Sequence, residues 1–423
     1  MMREKSMPGL LAFFLTLLLT GSAVLIYFIP QQSIGLLLFY GFLFLLLFVF
    51  RKRFPPAMIG WCRTLLGLLF IFSGLTKGVD PLGTMYKVED YYVAYGMDWA
   101  MPLAIYQSFL MNAFEFLLGV GLLFKIMPKT ISILTALMMG FFTYTTYMDA
   151  MYNLVPDCGC FGEALILSNW QTFYKNLTIL GFVLVLLFSL RKSKSFFFRN
   201  VEWNILLVAG VLFFGFQLYN YCHLPVVDFR TWKTGNLMVP EQLEPITYYL
   251  TYENVETGAV TELKSDDLPW QDSVWMNTWQ FVSQRIVDPN LGLVHDLVFE
   301  DSEGNNITSD YIESPDPQFI LVSWTLSEFN RNKIDRILQF VAQCYADGHG
   351  FILLTSSDEH EIEKFLLETG LTIEVYRADD IALKTMIRAN PGLLLLQNGY
   401  VLGKWHWRDF PTYQKAEKLF QSN

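Results

Sequence analysis

LAIYQSFLMNAFEFLLGVGLLFK, residues 103–125, decides the fold class of this chain. A helix needs about 20 apolar residues to cross the hydrocarbon core of a bilayer. This run is long enough, and too evenly apolar for an amphipathic surface helix. Its one acidic residue, Glu115, falls near the middle, where a charge is expensive and has to face the interior of a bundle.

Six further apolar runs read the same way, near 9–29, 33–50, 57–77, 130–150, 173–190 and 203–221. The expectation is an α-helical polytopic membrane bundle of about seven spans. Hydrophobic residues make up 53% of the 423 and charged residues only 17%, against roughly 25% charged in soluble chains. The charges gather after Cys222 or in short runs between apolar blocks, so the chain is built for lipid first and water second. A net charge of -10 argues against nucleic acid as a partner, which calls for basic patches. The partner read from composition is the lipid bilayer.

Lys and Arg in the short loops set the direction. Arg3 and Lys5, then Arg51, Lys52 and Arg53, then Lys125 and Lys129, then Arg191, Lys192, Lys194 and Arg199 fall in alternate connections. That side is expected to be cytoplasmic. An odd number of spans then puts the C-terminal half outside. In a bacterial inner membrane that compartment is the periplasm. The first run follows a basic segment like that of a signal peptide. It lacks a clean small-residue cleavage site, so it is read as a retained helix.

A second intramembrane charge, Arg63, lies about two turns into the third run. Arg63 and Glu115 are expected to form a polar pair across antiparallel helices, with a register-fixing role as the plainer alternative. All five histidines follow the last span, so no intramembrane axial ligand is available and no haem is expected.

Of the five cysteines, Cys62 and Cys344 read as core residues. Cys158 and Cys160 lie in NLVPDCGCFGEAL, residues 153–165, a Gly- and Pro-rich connection on the outer side. Thiols outside the cytoplasmic membrane meet an oxidising compartment. A Cys-x-Cys pair closes a disulfide only in a small strained ring, and strain makes a disulfide more oxidising. Redox-active thiols are one reading. A structural bridge to Cys222 and a soft-metal site for Cu(I) are the others. No other metal site is read.

The stretch from about 57 to 190 resembles the DoxX/MauE superfamily of small bacterial membrane proteins. The resemblance rests on RTLLGLLFIFSGLTKGVDPLGTMYKVEDYY (63–92), NAFEFLLGVGLLF (112–124) and DCGCFGEALILSNWQTFYKN (157–176). It implies a four-helix membrane core associated with redox and thiol chemistry, one branch being named for methylamine utilisation. It also implies interest in Cys158, Cys160 and Glu115. The two leading spans, 1–56, are extra to that core, and 191–222 holds a seventh span.

After a connecting region, 223–292, with no assignable fold, the pattern from 293 to 423 alternates strand and helix. HDLVFEDSEGNNITSDYI (295–312) reads as a hairpin, FILVSWTL (319–326) and GFILLTSS (350–357) as buried strands, and Asn398-Gly399 as a hairpin turn. This order resembles an α/β thioredoxin-like domain. SWTLSEFNRNK (323–333) falls where that family carries Cys-x-x-Cys, and Pro391 where it carries its cis-proline. No cysteine is present there, so the resemblance implies a binding module using Trp324, Glu328 and Pro391.

The functional expectation is a redox-associated membrane protein. A periplasmic thiol protein and a quinone are its candidate partners, and a quinone its candidate cofactor. The alternative is a non-catalytic envelope assembly or scaffold protein with a peptide-binding module. A transporter is a weaker reading, since no internal repeat is evident.

Overall fold

The structure is a computed structural model that describes residues 7–28, 34–155, 159, 162, 164–165, 167–190, 194–238, 247–255, 257–269, 272–287, 297–300 and 305–421. The chain divides into two compact units, Met1–Phe229 and Arg230–Asn423.

The first unit is helical: α1 (Gly9–Phe28), α2 (Ile34–Phe50), α3 (Pro56–Val79), α4 (Pro81–Ala94), α5 (Ala104–Leu123), α6 (Pro128–Tyr152), α7 (Asn169–Phe188) and α8 (Arg199–Cys222). Prolines open α3, α4 and α6 at the first turn, where a missing N–H costs nothing. A capping box from Ser168 and Gln171 starts α7. Five helices among the described residues are long and apolar enough to cross a membrane: α3, α5 with its preceding 3-10 turn, α6, α7 and α8. The expected first two spans are also helices, but their apolar stretches, Gly9–Ser22 and Ile34–Phe50, are shorter. They pack on α7, where the Tyr40 hydroxyl and Thr178 Oγ1 lie 2.6 Å apart and the Tyr40 and Tyr174 rings stack.

α3 and α5 form the tightest crossing. A Cβ at Gly67 would stand 2.8 Å from the Leu123 backbone, one at Gly74 2.9 Å from Phe116, and one at Gly119 2.6 Å from the Ile71 backbone. Small residues let the two backbones approach, the usual way helices associate in lipid. Positions 67, 71 and 74 therefore lie opposite 123, 119 and 116, an antiparallel register that fixes which side chains can meet.

The second unit holds two sheets. β1 (Thr247–Asn254), β2 (Val260–Lys264) and β3 (Trp279–Val287) form an antiparallel sheet in the order β2-β1-β3. β4 (Gln318–Val322), β5 (Gly350–Thr355), β6 (Glu374–Arg377), β7 (Gly392–Gln397) and β8 (Tyr400–His406) form a five-stranded sheet in the order β6-β5-β4-β7-β8. β4, β5 and β6 are parallel, while β7 and β8 run antiparallel to their neighbours. Helices α9 (Ile334–Ala346), α10 (Glu359–Thr369), α11 (Asp380–Met386) and α12 (Tyr413–Gln421) connect and cover it. Phe319, Phe340, Phe351, Phe410 and Leu395 fill its core. Gly370 closes α10 at φ 70°, and Asn398 and Gly399 make the β7–β8 turn at φ 49° and 78°, as those residues predict.

Part of the hairpin expected over 295–312, residues 295–296 and 301–304, lies outside the described residues. Among the described ones, an antiparallel bridge joins Glu300 to Asn306, and Thr308–Ile312 is a short helix where strand was expected. The Thr308 N–H donates to Asn306 Oδ1 and the Phe299 N–H to Thr308 Oγ1, side-chain acceptors that hold the start of this helix.

Candidate functional site

Glu115 is buried on α5, but Arg63 is not its partner. Lys77 Nζ, at the last turn of α3, donates to Glu115 Oε2 at 2.6 Å, with both side chains almost wholly buried. The α3–α5 register explains the correction. It sets Glu115 opposite the end of α3, roughly twelve residues from Arg63, or about 18 Å along a helix, which one arginine cannot span. Arg63 instead donates from Nη1 to the Leu122 and Leu123 carbonyls at 2.6 and 2.7 Å. It caps the C-terminus of α5, where unpaired carbonyls favour a cation. Arg63 is structural here, and the intramembrane charge pair is Lys77–Glu115.

A third charged residue shares this place. Lys175 on α7 faces Lys77, Glu115, Ser73 and Asn176 across a cavity of about 30 Å³, room for a water or two. Glu115, paired with Lys77, thus shares this cavity with a second lysine. Neither Lys77 nor Lys175 is among the residues singled out from the sequence above. A signal was present: Ser108, Asn112 and Glu115 fall on one face of α5, and Ser73 and Lys77 on one face of α3, at helical spacing.

Lys77 also lines a second, larger cavity of about 550 Å³ between α4, α5 and α6. Its walls include Tyr91, Tyr92, Trp99 and Phe142. Tyr91 donates to Asp149 Oδ2 at 2.5 Å, and Asp149 is buried on α6.

Cys158 and Cys160 lie outside the described residues. Gly159, between them in the chain, is described, and it lines the 550 Å³ cavity. Its φ of 58° and that of Gly162, 57°, are left-handed, the region glycine enters without cost. The Gly162 N–H donates to the Gly159 carbonyl at 2.9 Å, closing a turn. A Cβ at Gly159 would stand 3.0 Å from Lys87 Cγ, and one at Gly162 3.5 Å from the Thr76 carbonyl. Gly159 is therefore seated against α4 and Gly162 against the end of α3. Cys222 ends α8, and Asn220, two residues before it, donates to the Gly78 carbonyl at 3.3 Å. The glycine turn and the end of α8 converge on the same three residues of α3, Thr76 to Gly78.

In the second unit Trp324 and Pro391 are buried, and Glu328 is exposed. Asn390, joined to Pro391 by a cis bond, ties the two segments together. Ser323 Oγ donates to Asn390 Oδ1 at 2.6 Å, and Asn390 Nδ2 donates to the Thr325 carbonyl at 2.9 Å. The three predicted residues are brought near one another, but only Glu328 offers its side chain to solvent. Cys344 is fully buried in the sheet core, and burial pushes its thiol up to about 12, so it is inert at neutral pH. Among the described residues no group of His, Cys, Asp and Glu is placed to hold a metal ion.

These features define a multi-pass membrane protein whose helical half encloses a buried ion pair and an aromatic cavity, joined to an α/β unit. Residues 55–189, from the start of α3 to the end of α7, match the family described as Methylamine utilisation protein MauE. The chain is similar to that family over this segment. No curated protein matches the chain.

Proposed function

We propose that this protein carries out thiol–disulfide or electron-transfer chemistry at the outer face of a bacterial inner membrane, in the manner of a MauE-like protein. Cys158 and Cys160 are its reactive pair, and the C-terminal domain recruits a partner. The observation that carries this reading is the placement of Gly159: the residue between the two cysteines lines the cavity that Lys77 of the buried ion pair also lines. In the exchange, a partner dithiol gives two electrons and two protons to the Cys158–Cys160 disulfide, becoming a disulfide as the pair becomes two thiols. The oxidised pair must then be regenerated by a two-electron acceptor.

The alternating basic loops support a cytoplasmic N-terminus and a periplasmic C-terminal unit. The strand order, the helix following β4 and the cis-proline before β7 support a thioredoxin-like reading of that unit. With no cysteine between Ser323 and Lys333, and Cys344 sealed in the core, it would hold partners without exchanging disulfides with them. The same lack of an accessible thiol favours a second reading, an envelope assembly factor whose cysteines only fix the loop.

Trapping decides between them. The full-length protein in native membranes is treated with a maleimide polymer before and after reduction. Cys158 and Cys160 are expected to gain label after reductant, and a Cys158→Ser, Cys160→Ser variant to lose function while staying folded. Thiols that are inert in both states, or a fully functional double variant, overturn the redox reading.

A further inference from the structure

We infer that the 550 Å³ cavity between α4, α5 and α6 is a binding site for the ring of a lipid-soluble quinone; the inference rests on the redox reading above and names its electron acceptor. Pockets for small organic ligands run from roughly 300 to 1,000 Å³ and combine apolar walls with a few polar groups. This cavity has that make-up. Tyr92, Trp99 and Phe142 offer faces for a flat ring, and Lys77 and Gln107 supply polar ends. Trp99 and Tyr144 at its margin are exposed, so a ligand dissolved in the bilayer can enter from the side. An aromatic ring stacks on aromatic faces, and a quinone carbonyl accepts a hydrogen bond from an ammonium such as Lys77.

The same cavity is lined by Gly159, the residue between Cys158 and Cys160 in the sequence. The step balances without further reagents. Two thiols become one disulfide, and the two electrons and two protons they release convert the quinone's two carbonyls into the two hydroxyls of a quinol. The hydrogen bond from Lys77 Nζ to Glu115 Oε2 orients the lysine, so that Lys77 is a positioning and polarising group.

The test uses the full chain in lipid nanodiscs with decylubiquinone as the probe and decylbenzene as a tail-matched control without carbonyls. Quenching of tryptophan fluorescence reads binding. Thr145→Trp, which fills the cavity from α6, is expected to weaken decylubiquinone binding about tenfold or more. Lys77→Gln should weaken decylubiquinone but leave decylbenzene unchanged. An azidoquinone should crosslink to peptides covering residues 84–111 or 141–146, which keeps the inference testable should a variant misfold. Equal binding of decylbenzene and decylubiquinone would make this a pocket for lipid chains and overturn the proposal. Crosslinks confined to other helices would do the same. The Cys158→Ser, Cys160→Ser variant separates the two readings. It should bind decylubiquinone like the wild type while failing to reduce it. If wild-type thiols bind quinone without reducing it, the redox reading falls and the pocket stands. If the thiols cycle while Thr145→Trp changes neither binding nor turnover, the pocket falls and the redox reading stands.

Discussion

Removing Glu115 should damage this protein more than removing Lys77, although the two form one ion pair. Glu115→Gln leaves Lys77 and Lys175 facing the same 30 Å³ cavity with no carboxylate between them. Breaking a buried pair in this way costs about 3–5 kcal/mol, because a desolvated charge is left uncompensated. Lys77→Met leaves Glu115 with Lys175 as a replacement partner, so its cost should be smaller by about 1 kcal/mol or more. The double variant Lys77→Met, Glu115→Gln closes the cycle, which should return a coupling of about 2–3 kcal/mol. The assay is SDS-induced unfolding of the full-length protein in mixed micelles, read by circular dichroism. Equal costs for the two single variants, or a coupling under about 0.5 kcal/mol, would refute the picture of a Lys77–Glu115 pair that shares its cavity with a second lysine.

Gly119→Ala, whose Cβ would fall 2.6 Å from the Ile71 backbone, must push α3 from α5 and should cost about 1–3 kcal/mol in the same assay. A neutral result would mean the helices do not cross at this glycine. Arg63→Leu removes the donor to the Leu122 and Leu123 carbonyls and should cost about 1–3 kcal/mol, whereas Glu115→Leu should not change the effect of Arg63→Leu, since the two residues do not meet. The Cys344 thiol, pushed up to about 12 from 9, should alkylate about a thousandfold more slowly than an unfolded thiol at pH 8. Because folding favours its neutral form, the stabilisation it gives is complete below pH 9 and is lost as pH rises towards 12. Fast native-state labelling of Cys344 would contradict the burial. Asn390→Ala, which strips Ser323 and the Thr325 carbonyl of a partner, should destabilise the C-terminal unit by about 1–3 kcal/mol, checked by calorimetry.

Much of this architecture is written along the chain. Apolar runs of bilayer length give the helices directly, because lipid leaves the backbone no other partner than itself. Asn398-Gly399 and Gly370 mark their turn and cap because only a few residues accept a left-handed backbone. Continuous apolar runs such as Phe319–Val322 and Phe351–Leu354 mark buried strands. The thiol motif was also legible, since CGC between glycine and proline residues needs no fold to be noticed. Other features were not legible. The strand Glu374–Arg377 is short and charged at both ends, so it gives no period to read, and it exists because β5 offers it an edge. The helix at 308–312 starts on two side-chain acceptors, a competition with strand decided by local geometry.

The choice of ion pair shows the division most clearly. The sequence by itself determined that Arg63, Lys77, Glu115 and Lys175 lie in or at the ends of apolar helices, where each needs a partner. It could not determine which pairs form, because that depends on how far one helix is shifted along another. The close approaches at Gly67, Gly74 and Gly119 set that shift. They send Arg63 to the carbonyl end of α5, bring Lys77 to Glu115, and leave beside that pair the aromatic cavity that Gly159 lines.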